Sequence, residues 1–482
     1  MRKKMQNNSD KAVRSGLWYV VSNVMIRAVG IITAPIYTRL LTTSESGFAN
    51  NFNNYVSLFT VVTCLCLIYS VGRAKIDFPD DFDGYMSSIQ ALSSIFGLFV
   101  LIMVMVLSPP SGLLGYDKLI IFIMFFYLVI FPSIDYRQYK YRFEYKYREN
   151  IAISVIITVT TVALSIGLIY LMPYDKGFAK ILGTVIPSGL VAIWCYVSLV
   201  KEGKKFINRK YWAYALRIGL PMIPHGLAMI MLARIDTSMI SAMCTYAEVG
   251  LYTWGYTIGT LLMFVSNAIG QAWLPWFNER LADGDYALIK EKNRLLMAAG
   301  CFLSLIFIGL SPEAVKILMA KPYHECMWVV PPVALGTLCQ YFYTNYVNQE
   351  LFHKKTVMIA VNSIIAALIN TGLNYVFIQR YGYIAAAYTT LAGYFILMVL
   401  HYISTRLVLK EDLYHNGQYF AMLIVTASFG LSMMYVYEKP VLRYIIVAAL
   451  TAVFAFIYRY DIIRLYKQFT KNKRTRGETR GS

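Results

Sequence analysis

Acidic side chains are scarce in this sequence. Only 26 of its 482 residues are Asp or Glu, against 45 Lys or Arg, and charged residues make up 15% of the chain. A soluble domain carries about a quarter charged residues, so a chain of this length lacks the polar surface it would need in water. Histidine is rarer still, at five. The seven cysteines (64, 66, 195, 244, 301, 326 and 339) are odd in number and show no metal-ligand spacing. They give no disulfide framework and no zinc module. Most read as small apolar groups packed between helices, with Cys326 alone falling near a predicted outer surface. There is no phosphate-binding glycine loop, dinucleotide fingerprint, nucleophile elbow or zinc motif.

What the chain has instead is apolar length. Hydrophobic residues account for 58% of it, and the mean hydropathy is +0.52. Apolar stretches of about 20 residues, each enough to cross ~30 Å of hydrocarbon as a helix, recur from end to end. Fourteen spans are predicted: 16–40, 48–72, 85–108, 117–135, 150–172, 178–200, 212–235, 247–271, 293–311, 328–349, 356–378, 382–407, 417–437 and 442–463. The opening "MRKK" fits a signal peptide, but the apolar part is too long, contains Arg27 and lacks a small-residue cleavage site. The fold class read here is an all-α polytopic membrane protein.

A formal charge of +19 invites a nucleic-acid reading, as does "YRQYKYRFEYKYREN" (136–150), where aromatic and basic residues alternate. The distribution of charge argues against it. Lys and Arg collect in every second connecting segment, whereas 42–46 and 241–247 hold none. That is the positive-inside pattern, and it places both termini in the cytoplasm. Residues 136–150 are then expected to form a cytoplasmic loop, with Tyr at the headgroups and Lys and Arg against anionic lipid. The basic tail 466–482 anchors the topology in the same way.

The chain also repeats. Glu45 and Gly47 of "LLTTSESGFANNF" match Glu248 and Gly250 of "AMCTYAEVGLYTW". Gly177 and Thr184 of "GFAKILGT" fall on Gly382 and Thr389 of "GYIAAAYT", and the loops "DDFDGY" and "LADGDY" correspond. The simplest account is an N-terminal lobe at 12–200 and a C-terminal lobe at 211–408, each of six helices and running in the same direction. Two additional helices follow at 413–465. Parallel repeats of this kind are a transporter architecture, with substrate between the halves.

The segments "IYTRLLTTSESGFANNFNNYVSLF" (36–59), "GRAKIDFPDDFDGYMSS" (72–88) and "RIDTSMISAMCTYAEVGLYTWGYTIG" (234–259) resemble the polysaccharide transporter family, the Wzx-type oligosaccharide flippases of the MOP superfamily. The resemblance covers most of the first twelve spans. It implies carriage of an undecaprenyl-diphosphate-linked glycan from inner to outer leaflet by alternating access, in a bacterial cell membrane, with glycosyltransferases and a glycan polymerase as partners. O-antigen, capsule and teichoic-acid units all remain open as cargo. One departure is that Arg39 is followed by "LLTTSESG" rather than by an early Gly.

Against that background, charges inside spans become candidates for function. Arg27 shares a helix face with Asn23, Gly30 and Ala34, and an Arg fork suits diphosphate oxygens. Arg73, at the inner end of span 2, is a candidate for the incoming headgroup or for lipid phosphate. Arg234 and Asp236 stand two residues apart, so they cannot face each other on a regular helix. Asp236 is a candidate cation or proton site, or a residue held at the outer interface. His225 is a weaker proton-relay candidate on a helix that Pro221 and Pro224 should bend. Polar faces at helical spacing add Asn54, Tyr252, Tyr256, Asn267, Gln271, Asn345, Asn348 and Asn374, either as sugar contacts or as glue between helices. No cofactor is expected, and coupling to Na+ or H+ is open. Alternatives are a cation-coupled drug exporter or lipid II flippase of the same superfamily, or a Mg²⁺-dependent prenyltransferase using the Asp-bearing loops.

Overall fold

The computed structural model describes residues 29–144 and 146–460. Among these residues the only β feature is an isolated bridge between Leu113 and Tyr116; the rest of the regular structure is helical. The first bundle comprises α1 (29–40), α2 (Thr43–Thr63), α3 (Ile68–Asp77), α4 (Phe82–Leu107), α5 (Lys118–Ile130), α6 (Pro132–Phe143), α7 (Tyr147–Leu171) and α8 (Lys176–Gly203). A short helix α9 (Arg209–Gly219) leads to α10 (Ile223–Met243), α11 (Tyr246–Gly259), α12 (Leu262–Ala282), α13 (Tyr286–Leu318), α14 (Val330–Phe352), α15 (Thr356–Tyr381) and α16 (Tyr383–Ser404). The last two are α17 (Asn416–Ser432) and α18 (Pro440–Ile457).

Each predicted span coincides with a helix or a broken pair of helices, span 1 being described from residue 29. Apolar length alone, however, supports nine crossings among the described residues, or ten if the bent pair α2 and α3 counts as one, rather than fourteen. The four spans not supported are span 1, described only from residue 29, and spans 7, 8 and 10, which correspond to α10, to α11 with α12, and to α14. α11 is short, and α10, α12 and α14 are diluted by polar side chains. These same helices line the cavities described below.

The breaks have local causes. Between α2 and α3 the backbone turns through Leu65 and Cys66, both at positive φ (53° and 51°), and the two helices meet at 43°. Pro132 opens α6. Pro221 lies in a 3₁₀ turn, Leu220–Met222, and Pro224 in the first turn of α10, so the α-helix of span 7 is interrupted where its prolines stand.

The stretch 136–150 departs from expectation. Most of it is not a loop on lipid, because α6 carries the chain on as helix through Phe143. Tyr136, Tyr141, Arg137 and Lys140 are buried. Arg137 grips Glu202 at the end of α8 through both terminal nitrogens (2.6 and 2.7 Å), and Lys140 meets Glu202 and, at 2.7 Å, Asp83 at the start of α4. The counter-charges come from distant segments, which the local sequence could not reveal. The acidic loop is used similarly. Asp81 receives Lys205 and Tyr211, while Asp77 accepts from Arg73 Nε (3.0 Å) and the Tyr214 hydroxyl (2.7 Å). These carboxylates clasp α9 to the first bundle instead of forming a free acidic face for Mg²⁺.

The two bundles meet where α2 crosses α11. Both helices begin in a capping box, Thr42 with Glu45 and Thr245 with Glu248. Gly47 and Gly250 sit at the crossing, where a Cβ on either would overlap a backbone carbonyl of the opposite helix. Gly177 lies against Glu45, and Gly382 against Glu248, so the sequence-matched pairs occupy matching places. Hydrogen bonds complete the seam: Asn50 to Thr253 (3.0 Å), Asn51 to Ser241 (2.7 Å), Asn54 to Ser238 (2.6 Å) and Trp254 Nε1 to Ser46 (2.9 Å). Tyr323 adds donation to the carbonyls of Leu41 and Thr42. This end of the molecule, the predicted outer end, is shut. Cys326 lies there too, wholly buried instead of near a surface, and all seven cysteines are free.

Candidate functional site

Adjoining the seam lies a cavity of about 680 Å³ walled by both bundles. Thr33 and Tyr37 come from α1, Lys180 from α8, Arg234 and Asp236 from α10, and Tyr252 and Tyr256 from α11. Gln340 and Tyr343 of α14 and Tyr394 of α16 close the far side. Aromatic rings, hydroxyls and an amide thus surround two cations and one carboxylate.

The charges are held in different ways. Arg234 is exposed to the cavity. Asp236 is 2% exposed and turned into the second bundle, where it accepts from the Tyr252 hydroxyl, Thr390 Oγ1 (3.1 Å) and the Thr237 amide (2.8 Å). The two do not pair, as their spacing requires. Nor does Asp236 sit at a helix end: α10 runs on to Met243, about 10 Å further. The acid is fixed by neutral donors, and among the described residues Arg234 has no acidic partner.

Lys180 was not singled out by sequence reasoning. Its side chain is 8% exposed, yet its Nζ reaches no carboxylate among the described ion pairs. It donates to Asn50 Oδ1 at 3.3 Å and lies over the rings of Tyr37 (4.9 Å) and Trp254 (5.8 Å). Cation–π contact offsets part of the cost of a desolvated ammonium, and a bound anion would offset more. The signal was present in "GFAKILGT", two residues into span 6, but a Lys so near a span end reads as an interfacial residue.

The other candidates divide. Asn267, Asn345 and Asn348 line a second cavity of about 320 Å³ between α12, α13 and α14. It adjoins the first, since Met263 and Gln340 wall both. Asn345 is committed within the bundle, accepting from Asn293 (2.7 Å) and donating to backbone carbonyls. Asn54 belongs to the seam. Asn374 is fully buried, accepts from Thr389 and donates to Asn370 (3.3 Å), tying α15 to α16. Arg73 stands on the surface paired with Asp77, away from either cavity. Arg27 and Asn23 lie outside the described residues, as do the side chains of His225 and Gln271.

Residues 12–280, more than half the chain, match the family described as "Polysaccharide biosynthesis protein". The chain belongs to this family. Two curated relatives come from Haemophilus influenzae. "Uncharacterized membrane protein" is 25% identical over 44% of this chain and 54% of its own length, so the chain spans about half of it. "Lsg locus putative protein 1" is 21% identical over 74% of this chain and 89% of that protein. Among solved structures, the lipid II flippase MurJ in an inward closed conformation superposes with a TM-score of 0.70 over 92% of this chain and 99% of that one, at 13% identity. An inward-facing multidrug-resistance MATE transporter of the MOP superfamily gives 0.55 over 84% and 98%, at 14% identity. This member of the polysaccharide biosynthesis family therefore has the MOP transporter fold, with the shut end and the two-bundle cavity already described.

Proposed function

We propose that the protein is a flippase carrying a polyprenyl-diphosphate-linked oligosaccharide from the inner to the outer leaflet of a bacterial cell membrane. The observation that carries this reading is the pairing of two cations, Arg234 and Lys180, that have no acidic partner among the described residues, with a cavity rich in tyrosine, threonine and amide groups. A diphosphate supplies the missing negative charge and accepts from the Arg fork. Glycan hydroxyls suit the polar groups, and sugar rings stack on Tyr256, Tyr343 or Tyr394. The lipid tail stays in the membrane between the bundles. With the predicted outer end shut, loading takes place from the inner leaflet, and separation of α2 from α11 releases the cargo outward. Asp236 is the coupling candidate for Na+ or H+. A cationic cavity is poorly matched to cationic drugs, which disfavours drug export. The fold is one that solved transporters share, which disfavours the prenyltransferase.

The test is appearance of lipid-linked glycan in the outer leaflet of proteoliposomes, run in parallel with a polyprenyl-diphosphate oligosaccharide, lipid II and the same polyprenyl chain as a neutral alcohol. Flipping of a diphosphate lipid but not of the alcohol is expected. Equal movement of all three, or of none, would overturn the reading.

A further inference from the structure

Behind Tyr343 lies a buried Glu–His pair that the transport cycle above does not use. Glu350, near the end of α14, and His401, near the end of α16, are both wholly shielded from solvent, with Nδ1 and Oε2 2.8 Å apart. Each keeps one buried polar atom without a partner, Oε1 on Glu350 and Nε2 on His401. Among the described ion pairs no Lys or Arg reaches Glu350. Asn362 of α15 completes the nest, donating to Ser404 (2.9 Å) and approaching His401 Nδ1 (3.4 Å). The Tyr343 ring stacks on His401, centroids 5.6 Å apart and nearly parallel, while itself lining the central cavity. One aromatic ring therefore separates the pair from the cavity's water.

We infer that Glu350 and His401 form a proton-binding site of the second bundle, exchanging one proton with the central cavity past Tyr343. The two states of the pair differ by that proton. Imidazolium with carboxylate is neutral overall; neutral imidazole with carboxylate is an anion. A net charge without a partner in an apolar surround is costly, so the sealed pair holds the proton and a hydrated pair can release it to water. The unpartnered Nε2 is the atom that gives up or takes the proton, and Nδ1–H stays on the Oε2 bond. Gating is by rotation of Tyr343, whose stacking partner changes charge in the same step. The neighbouring titratable groups are engaged elsewhere. His353 pairs with Glu411 (3.0 Å), Gln349 donates to the same Glu411, and Arg406 and Lys290 face Asp412. Asp236 is held by Tyr252 and Thr390, and Tyr256 and Tyr394 line the same cavity as Tyr343.

The site is tested on the purified full chain in nanodiscs, without glycan. ¹⁵N-histidine NMR across pH 5–9 follows His401, assigned by its loss in His401→Gln. Its Nε2 resonance should titrate with one proton in the wild type and shift its midpoint in Glu350→Gln, which keeps the hydrogen bond without the charge. Tyr343→Ala should speed exchange at Nε2. A His401 resonance that stays in one state across that range, in protein shown folded by its melting profile, would overturn the site and leave a static ion pair. The link to transport rests on the flippase reading and has its own readout. In proteoliposomes Glu350→Gln should still flip lipid but lose its response to an imposed pH gradient. An unchanged response would overturn the link while leaving flipping intact. If His401 titrates and no lipid is flipped, the proton site stands and the transport reading falls.

Discussion

Lys180 and Arg234 illustrate how the same charge takes different roles according to what surrounds it. Arg234 projects into open space, whereas Lys180 is boxed between two aromatic rings and one amide oxygen. Charge-assisted hydrogen bonds contribute about 1.5–3 kcal/mol each. Lys180→Gln or Arg234→Gln should therefore weaken diphosphate-lipid binding about ten- to a hundredfold, measured by competition with pyrophosphate in detergent. Arg73 gives the opposite expectation. Its partner Asp77 is local, and the pair is two-thirds exposed on the arginine side, a setting in which solvent screens most of the attraction. Arg73→Ala should leave flipping within about twofold of wild type. The sequence marks Arg73, at the inner end of span 2, as a headgroup candidate and gives no reason to single out Lys180. What separates them is an acid four residues on for Arg73, and for Lys180 the absence of an acidic partner among the described residues. For Lys180 that second fact depends on three helices that meet only in the folded chain.

At the scale of helices, the legible features were those with local causes. Thr42–Glu45 and Thr245–Glu248 are capping boxes written in four residues each, and Pro221 and Pro224 stand where a 3₁₀ turn interrupts their helix. The matched glycines 47 and 250 were visible as a repeat, but their purpose was not, since a glycine's neighbours across a crossing leave no trace in its own segment. The basic run in α6 misled for the same reason: Glu202 and Asp83, which bury Arg137 and Lys140, lie about 60 residues away on either side. The crossing carries a direct expectation. A side chain at 47 meets the Tyr246 carbonyl, so α2 and α11 cannot keep their spacing. In protein carrying Thr43→Cys and Tyr246→Cys, a short thiol cross-linker should join the two helices efficiently. Adding Gly47→Val should reduce that yield severalfold and raise labelling of Arg234→Cys from the outer side. Unchanged cross-linking would mean that the seam is not held by this close approach.

For the whole molecule, if it carries a diphosphate lipid as proposed, the charges of the cavity set which step of the cycle a membrane potential drives. Empty, the cavity carries the two cations Lys180 and Arg234 beside Asp236, a net charge of one or two depending on the proton at the acid. Loaded with a diphosphate, it is close to neutral. The loaded transition therefore moves little charge across the field, and the return of the empty, outward-open carrier moves positive charge toward the inside. An inside-negative potential favours that return by up to about 2.3 kcal/mol per charge per 100 mV, less in proportion to the fraction of the field actually crossed. In proteoliposomes with a potassium diffusion potential, inside-negative polarity should raise multiple-turnover flipping severalfold over inside-positive polarity. A single turnover from preloaded carrier should scarcely respond. Lys180→Gln removes one of the moving charges, so it should flatten the voltage dependence of whatever turnover remains, beyond any loss of affinity. Equal voltage dependence in wild type and Lys180→Gln, measured at saturating lipid, would place Lys180 outside the moving part of the field and leave the return step to Arg234 alone.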